Sequence, residues 1–211
     1  MKIQNASVEI MDEWNPLTQE KVLAHLERCG RTCYKSEDKI KDGSAEKFVR
    51  NIIKRGHESV LEHVSFTVRF ICDRGVSHEI VRHRLASYSQ SSTRYCNYVD
   101  DRFGNEITVI RPLFLKEGTA AYRIWENACM ETETAYVLML DAGCSPQEAR
   151  SVLNNSLQTE VCMTANLREW RHFLKLRTSP ASHPQMREVA LMLLGILKER
   201  LPVIFGDIGD E

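Results

Sequence analysis

Apolar positions recur along this chain with two different periods. Val22, Leu23 and Leu26 fall on one face of a stretch that opens on Asn15-Pro16 and stops at Gly30, which predicts a helix over residues 15 to 30 with proline in its first turn. Phe48, Val49, Ile52 and Ile53 predict a second helix over residues 44 to 55, capped by Ser44 and ended by Gly56. From Val64 the period drops to two. Val64, Phe66, Val68 and Phe70 interleave with Ser65, Thr67 and Arg69, the mark of a half-buried strand that ends at a turn, Asp73-Arg74-Gly75. Ser77 is then placed to cap a short helix running through Arg84.

A weaker strand is predicted at residues 107 to 111, before Pro112. A long helix follows from Thr119 to Ala142, closed by Gly143. Ser145-Pro146-Gln147-Glu148 then combines the serine and glutamate of a capping box with proline at the first helical position, and Arg150 rides on that short helix. After an extended piece at residues 161 to 165, Asn166 caps a helix that turns Leu167, Trp170, Phe173 and Leu174 inward as far as Arg177. Pro184 opens the last helix, where Met186, Val189, Leu193 and Leu197 repeat at helical spacing. Helices outnumber strands, and neither βαβ alternation nor an internal repeat is present. The pattern predicts an α+β fold in which one helix-rich domain, residues 1 to 211, surrounds a small, largely antiparallel sheet.

Composition narrows the function classes. The chain has 211 residues and a formal net charge of -1, so no global positive field attracts a nucleic acid, and the length suffices to bury roughly 70% of the unfolded surface. Seven cysteines without a C-x-x-C pair argue against a disulfide framework or a zinc ribbon and for a reducing, cytoplasmic setting. The first seven residues lack the apolar core of a signal peptide, and the longest apolar run, at residues 190 to 197, is too short to span a bilayer.

The candidate chemistry concentrates between Arg82 and Tyr95. Arg82-His83-Arg84 alone reads first as a basic last turn complementing a helix dipole. The hydroxyls that follow, Ser87, Ser89, Ser91, Ser92 and Thr93, lead into Arg94-Tyr95 and turn the segment into a cradle for a phosphate and a planar ring. His57-Glu58-Ser59-Val60-Leu61-Glu62-His63 has the composition of a metal site but not its spacing, since Leu61 and Ser59 stand where the two histidine-glutamate zinc motifs need histidine. A capped loop and a ligand-binding loop both remain open for it. Cys96 reads as a small buried hydrophobe before it reads as a nucleophile, and Arg168, Arg171, His172 and Arg177 read as an exposed helix face unless folding brings them to the segment.

Arg82-His83-Arg84 followed after seven residues by Ser92 resembles the signature of the flavin-dependent thymidylate synthases, and Ser87, Arg94 and Tyr95 complete the longer pattern. Gly56-His57-Glu58-Ser59 through Glu62-His63, Ala149-Arg150, Asn166-Leu167-Arg168 and Phe173-Leu174 with Leu176-Arg177 resemble further blocks of that family, in the same order. The resemblance implies an enzyme making dTMP from dUMP, with a methylene group from methylenetetrahydrofolate and reducing equivalents from NADPH through FAD. It implies a homotetramer with sites shared between subunits. It places Ser59, Arg82, His83, Arg84, Gln90, Asn166, Arg168 and His172 against FAD. Glu79, Arg82, Gln90, Ser91, Ser92, Thr93, Arg94, Arg150 and Arg177 fall against dUMP, with Arg177 as the catalytic group that activates the pyrimidine. No metal and no covalent nucleophile are implied, so Ser92 positions substrate and Cys96 is dispensable.

The chain departs from the commoner pattern at Gln90, where glutamate is frequent, at Glu79, where glutamine is, and at His172, where asparagine is. Beside a phosphate, Glu79 would repel unless it binds ribose hydroxyls or pairs with an arginine. The loop 178 to 182 ahead of His183 is longer than the family pattern. Two other readings differ in their observables. A same-fold FAD and NADPH oxidoreductase that has lost methyl transfer would be yellow and make no dTMP, and an RNA-binding module would show steep salt dependence without flavin.

Overall fold

The computed structural model describes residues 1–11, 18–98 and 104–209. Strands β1 (Lys2–Gln4) and β2 (Ser7–Ile10) precede helices α1 (Gln19–Thr32) and α2 (Ser44–Lys54). A 3-10 turn over Glu58–His63 leads into β3 (Ser65–Asp73), α3 (Arg74–Ile80), β4 (Ala86–Gln90) and β5 (Thr108–Ile110). Helices α4 (Ala120–Asp141) and α5 (Pro146–Ala149) come next, then β6 (Gln158–Asn166), α6 (Leu167–Arg177), α7 (Pro184–Arg200) and α8 (Pro202–Phe205). The main sheet is antiparallel in the order β2-β3-β6-β4, and β1 pairs in parallel with β5. This is the mixed helical and small-sheet architecture that the sequence pattern predicts.

Period-two alternation sets the two faces of that sheet. Phe66, Val68 and Phe70 on β3 and Val161, Met163 and Ala165 on β6 are buried against α6 and α7, while Thr67 and Thr164 share a 2.7 Å hydroxyl contact on the other face. Trp170 of α6 stacks on Phe66 with ring centroids 5.1 Å apart. Truncating such a buried aromatic costs about 3–5 kcal/mol, so this contact fixes α6 on the sheet. A smaller cluster, Ile107, Val109, Cys129 and Leu157, sits under α4. Among the described residues no helix is long and apolar enough to cross a membrane.

Several local expectations change. The proposed start of the first helix, Asn15-Pro16, lies outside the described residues. That helix passes Gly30 and ends at Thr32. Gly30 is a contact point instead, because a Cβ there would lie 2.6 Å from the Phe48 ring of α2. Ser44 is the first residue inside α2, and its hydroxyl donates to buried Glu27 at 2.7 Å. Asp73-Arg74-Gly75 is no turn. The strand alternation continues through buried Cys72, and Asp73 itself caps α3 by accepting from the Val76 amide at 2.9 Å. Gly75 is needed there, since a Cβ would stand 2.9 Å from the Asp73 carboxylate. Ser77 is therefore buried within α3, which stops at Ile80, short of Arg84. The serine-rich run forms an edge strand, β4, and α8 follows the helix expected to be last.

Candidate active site

The end of α3, the edge strand β4 and helix α6 converge on His83. The Tyr88 hydroxyl, on the inward face of β4, is shared between the carbonyl oxygens of Ile80 at 3.0 Å and His83, which fixes the connecting turn. Burial pushes the Tyr88 phenol up to about 12, so it stays a donor. Asn166 caps α6 by accepting from the Glu169 amide at 2.9 Å. The Glu169 carboxylate in turn faces His83 Nδ1 at 3.2 Å, and the His83 ring packs edge-on to Phe173.

Arg177, at the far end of α6, closes the cluster. Its Nε donates to His83 Nε2 at 3.0 Å, and its Nη1 and Nη2 donate to the Glu79 carboxylate at 2.6 Å and the Glu79 carbonyl at 3.2 Å. A guanidinium carries five N–H donors and no acceptor, so two donors stay available to a ligand on a side chain that is 15% exposed. The pairing resolves the sign problem at Glu79, whose charge meets Arg177 and not a bare phosphate. Burial, followed by the charge of Arg177, holds the His83 pKa below the ordinary histidine value.

A second group of residues lies at the other end of β4. The Gln90 amide donates to Ser77 Oγ at 3.0 Å and Thr159 Oγ1 at 3.1 Å, and Ser91 Oγ contacts Thr159 Oγ1 at 3.0 Å. These bonds tie β4 to α3 and β6. Beyond them Ser92 Oγ accepts from the Arg94 amide, Arg94 lies 5.4 Å from the Tyr95 ring centre, and exposed Arg150 donates to buried Thr93 at 3.3 Å. No hydrogen bond or ion pair joins Arg150 or Thr93 to Arg177, Glu79 or His83 among the described residues.

The outer face of α6 borders an open groove of about 840 Å³, lined by Arg168, His172 and Lys175 together with Asn166, Leu85 and Glu58. Arg168 is paired there with Glu62 at 2.6 Å. His83, Glu169 and His172 offer ligand atoms within 4.8 Å of one another, a spacing that suits a metal ion. Both His83 nitrogens already have protein partners, however, and the nearby Arg177 charge opposes a cation.

A family profile described as "Thymidylate synthase complementing protein" matches residues 18–203. Proteins named flavin-dependent thymidylate synthase are similar over most of their length. The one from Pyrococcus furiosus is 35% identical over 172 residues, covering 81% of this chain and 70% of that protein. Those from Geobacter sulfurreducens and Corynebacterium efficiens are 34% and 36% identical, with 78% and 80% of each covered by 85% and 89% of this chain. The chain belongs to the flavin-dependent thymidylate synthase family. A crystal structure of the UMP/dUMP methylase PolB from Streptomyces cacaoi, bound with 5-Br dUMP, superposes with a TM-score of 0.78. It covers 98% of this chain and 96% of that one at 24% identity, a likeness of fold.

Within a flavin-dependent thymidylate synthase the residues expected from sequence divide into four groups. Glu79, His83 and Arg177 form the buried cluster, with Asn166 attached through Glu169. Gln90 to Arg94 and Arg150 form the second group. Arg168 and His172 border the groove, and Ser59 is exposed on the 3-10 turn that packs against α6. Arg82 and Arg84 are exposed on the turn before β4, without an ion pair among the described residues. Sequence reasoning missed Glu169, Ser77 and Thr159, which hold the site residues without belonging to a motif. The groove fits a large dinucleotide in size and offers an imidazole and cations. Of its carboxylates, Glu62 and Glu58 face Arg168 at 2.6 and 4.0 Å, and Glu169 faces His83.

Proposed function

We propose that this chain catalyses reductive methylation of dUMP to dTMP, with methylenetetrahydrofolate as one-carbon donor and NADPH as reductant through FAD. Family membership supports the reaction class. The observation that carries the assignment to residues is the Arg177 guanidinium, clamped on three donors and open on two.

Bound FAD supplies the reducing equivalents. Reduction of the pyrimidine ring builds negative charge on its carbonyl oxygens, and the two unused N–H groups of Arg177 are aimed to stabilise it. Because His83 and Glu79 hold the guanidinium beforehand, no reorganisation is needed when the charge appears. Arg94 and Arg150, with Ser91, Ser92 and Thr93, bind the dUMP phosphate as charge-assisted donors and hydroxyls. Ser92 positions and does not attack. Ser59, Arg82, Arg84, Asn166, Arg168 and His172 hold FAD, and Gln90, with its amide nitrogen committed to Ser77 and Thr159, offers its carbonyl oxygen to a ligand.

The active form is a homotetramer with each site assembled from neighbouring subunits. One chain leaves Arg82 and Arg84 exposed beside Leu85, which is 76% exposed, and no hydrogen bond or ion pair links Arg177 to Arg150 among its described residues. Helix α4 also presents Ile124 and Leu138 to solvent at 70% and 61% exposure, an apolar face suited to a second copy. The test is an assay on purified protein. Flavin absorbance should be present, NADPH should bleach it, and dUMP with methylenetetrahydrofolate should then yield dTMP. Flavin that bleaches without dTMP formation would favour the oxidoreductase reading, and absence of flavin binding would overturn both.

A further inference from the structure

Glu169 belongs to no sequence motif and has no role in the reaction as described, yet its side chain is 7% exposed. It occupies the third position of α6, where an acid ordinarily reaches back toward the cap or simply complements the helix N-terminus. Here the Asn166 side chain already satisfies the Glu169 amide, and the Glu169 carboxylate turns instead to His83 Nδ1, 3.2 Å away. The two side chains are buried together, at 4% and 7% exposure.

The donor inventory around His83 fixes its protonation state. A guanidinium Nε can only donate, so the His83 Nε2 that faces it at 3.0 Å must present a lone pair. A neutral imidazole has one N–H, which then resides on Nδ1 and points at the Glu169 carboxylate. An imidazolium, or the tautomer protonated on Nε2, would set two N–H groups against each other. We infer that Glu169 is a positioning residue: it selects the Nδ1–H tautomer of His83, and that tautomer holds the Arg177 guanidinium toward the pyrimidine.

Every charged group facing His83 agrees with this state. Arg177 disfavours a second proton, Glu169 favours one on Nδ1, Glu79 of α3 is occupied by Arg177, and exposed His172 lies 5.8 Å away ring to ring. Burial and Arg177 together keep the imidazole neutral. The second bond of the chain, from Arg177 to Glu79, then sets the remaining angle of the guanidinium plane.

The inference rests on the reading that Arg177 acts on the pyrimidine, and it is tested by a measurement that does not require turnover. The FAD-loaded enzyme, labelled with nitrogen-15 in histidine, is examined by long-range proton–nitrogen correlation spectra, which distinguish the two tautomers and the imidazolium. Wild-type His83 should show the Nδ1–H signature. In Glu169→Gln the side chain can offer Nδ1 either its carbonyl oxygen or its N–H, where the carboxylate could only accept, so the Nδ1–H signature should lose population to Nε2–H, the form that opposes Arg177. The kcat for dTMP should fall by about tenfold to a hundredfold, the scale of a small misplacement of a catalytic group, with KM for dUMP changed far less and FAD retained. Glu169→Asp, which keeps the carboxylate, should recover the Nδ1–H signature and part of kcat.

A wild-type His83 found as Nε2–H or as imidazolium would overturn the inference, even if Glu169→Gln failed to fold. So would a variant that changes tautomer at unchanged kcat, or loses kcat with the tautomer unchanged. A wild-type enzyme that makes no dTMP would instead defeat the functional reading and leave the tautomer result standing.

Discussion

Around His83, the ring nitrogens, the Glu169 carboxylate and three donors of Arg177 have partners inside the chain, whereas the guanidinium groups of Arg82 and Arg84, one residue to either side, have none among the described residues. Burial accounts for the difference. A polar group taken from water must be paired within the fold or it costs about 1–3 kcal/mol, while an exposed guanidinium stays hydrated at no such cost. The buried half of the site is thus completed during folding. The exposed guanidiniums of Arg82 and Arg84 keep their donors unspent within the described chain.

Substitutions on the two sides should separate accordingly. Arg177→Ala removes the donor aimed at the developing charge, and dTMP turnover at saturating dUMP should drop about 10²–10³-fold while FAD remains bound. Near-normal turnover would mean that the finished cluster is architectural. A second buried arginine of α6, at the wall of the groove, provides a comparison. Arg171, 1% exposed, holds the Asp207 carboxylate through two 2.7 Å bonds and so ties α6 to the segment after α8. Asp207→Ala should lower stability by about 1–3 kcal/mol, read from the denaturant midpoint, because buried Arg171 loses one partner while keeping the Ile204 carbonyl and Glu58. On the exposed side, Arg82→Ala and Arg84→Ala should each weaken FAD binding by roughly tenfold to a hundredfold, the worth of a charge-assisted bond, with stability within about 0.5 kcal/mol of wild type.

Smaller effects sharpen the contrast. Because the folded His83 pKa is held below its unfolded value, the folded state binds fewer protons, and stability rises with pH in that window. The contribution is complete above the ordinary histidine range near pH 6.5 and is lost as pH falls through the depressed value. Denaturation midpoints of wild type should therefore decline faster than those of His83→Gln as pH is lowered below that range. At the bottom of the scale, Cys96→Ala should leave dTMP synthesis unchanged, since the half-buried thiol supplies no nucleophile.

Where local physics decided the structure, the sequence was readable. Helix α6 runs from its Asn166 cap to Arg177 as the spacing predicts, and the Thr119 cap and Gly143 end of α4 follow from residue type. Strand β4 was hidden because its outward positions are Ser87 and Ser89. Only the alternation of Ala86, Tyr88 and Gln90 signals it, and pairing with β6 is a long-range event. The site shows the same limit. Its motif residues stand out by composition, but Glu169 meets His83 across 86 positions of sequence and Arg177 meets Glu79 across 98. An acid near a helix start has an ordinary local explanation, and nothing local distinguishes one that reaches a histidine in another element.

The proposal most open to direct test is that the Arg177 cluster and the Arg150 cluster, which no hydrogen bond or ion pair joins among the described residues of one chain, complete one active site between subunits. Arg177→Ala and Arg150→Ala chains carrying different tags can be co-expressed, and hybrids holding both tags isolated. If each site takes Arg177 from one subunit and Arg150 from another, random hybrids should recover up to about a quarter of wild-type dTMP synthesis, as symmetric sharing of sites requires. Hybrids that form with FAD bound yet stay as inactive as either parent would contradict the account.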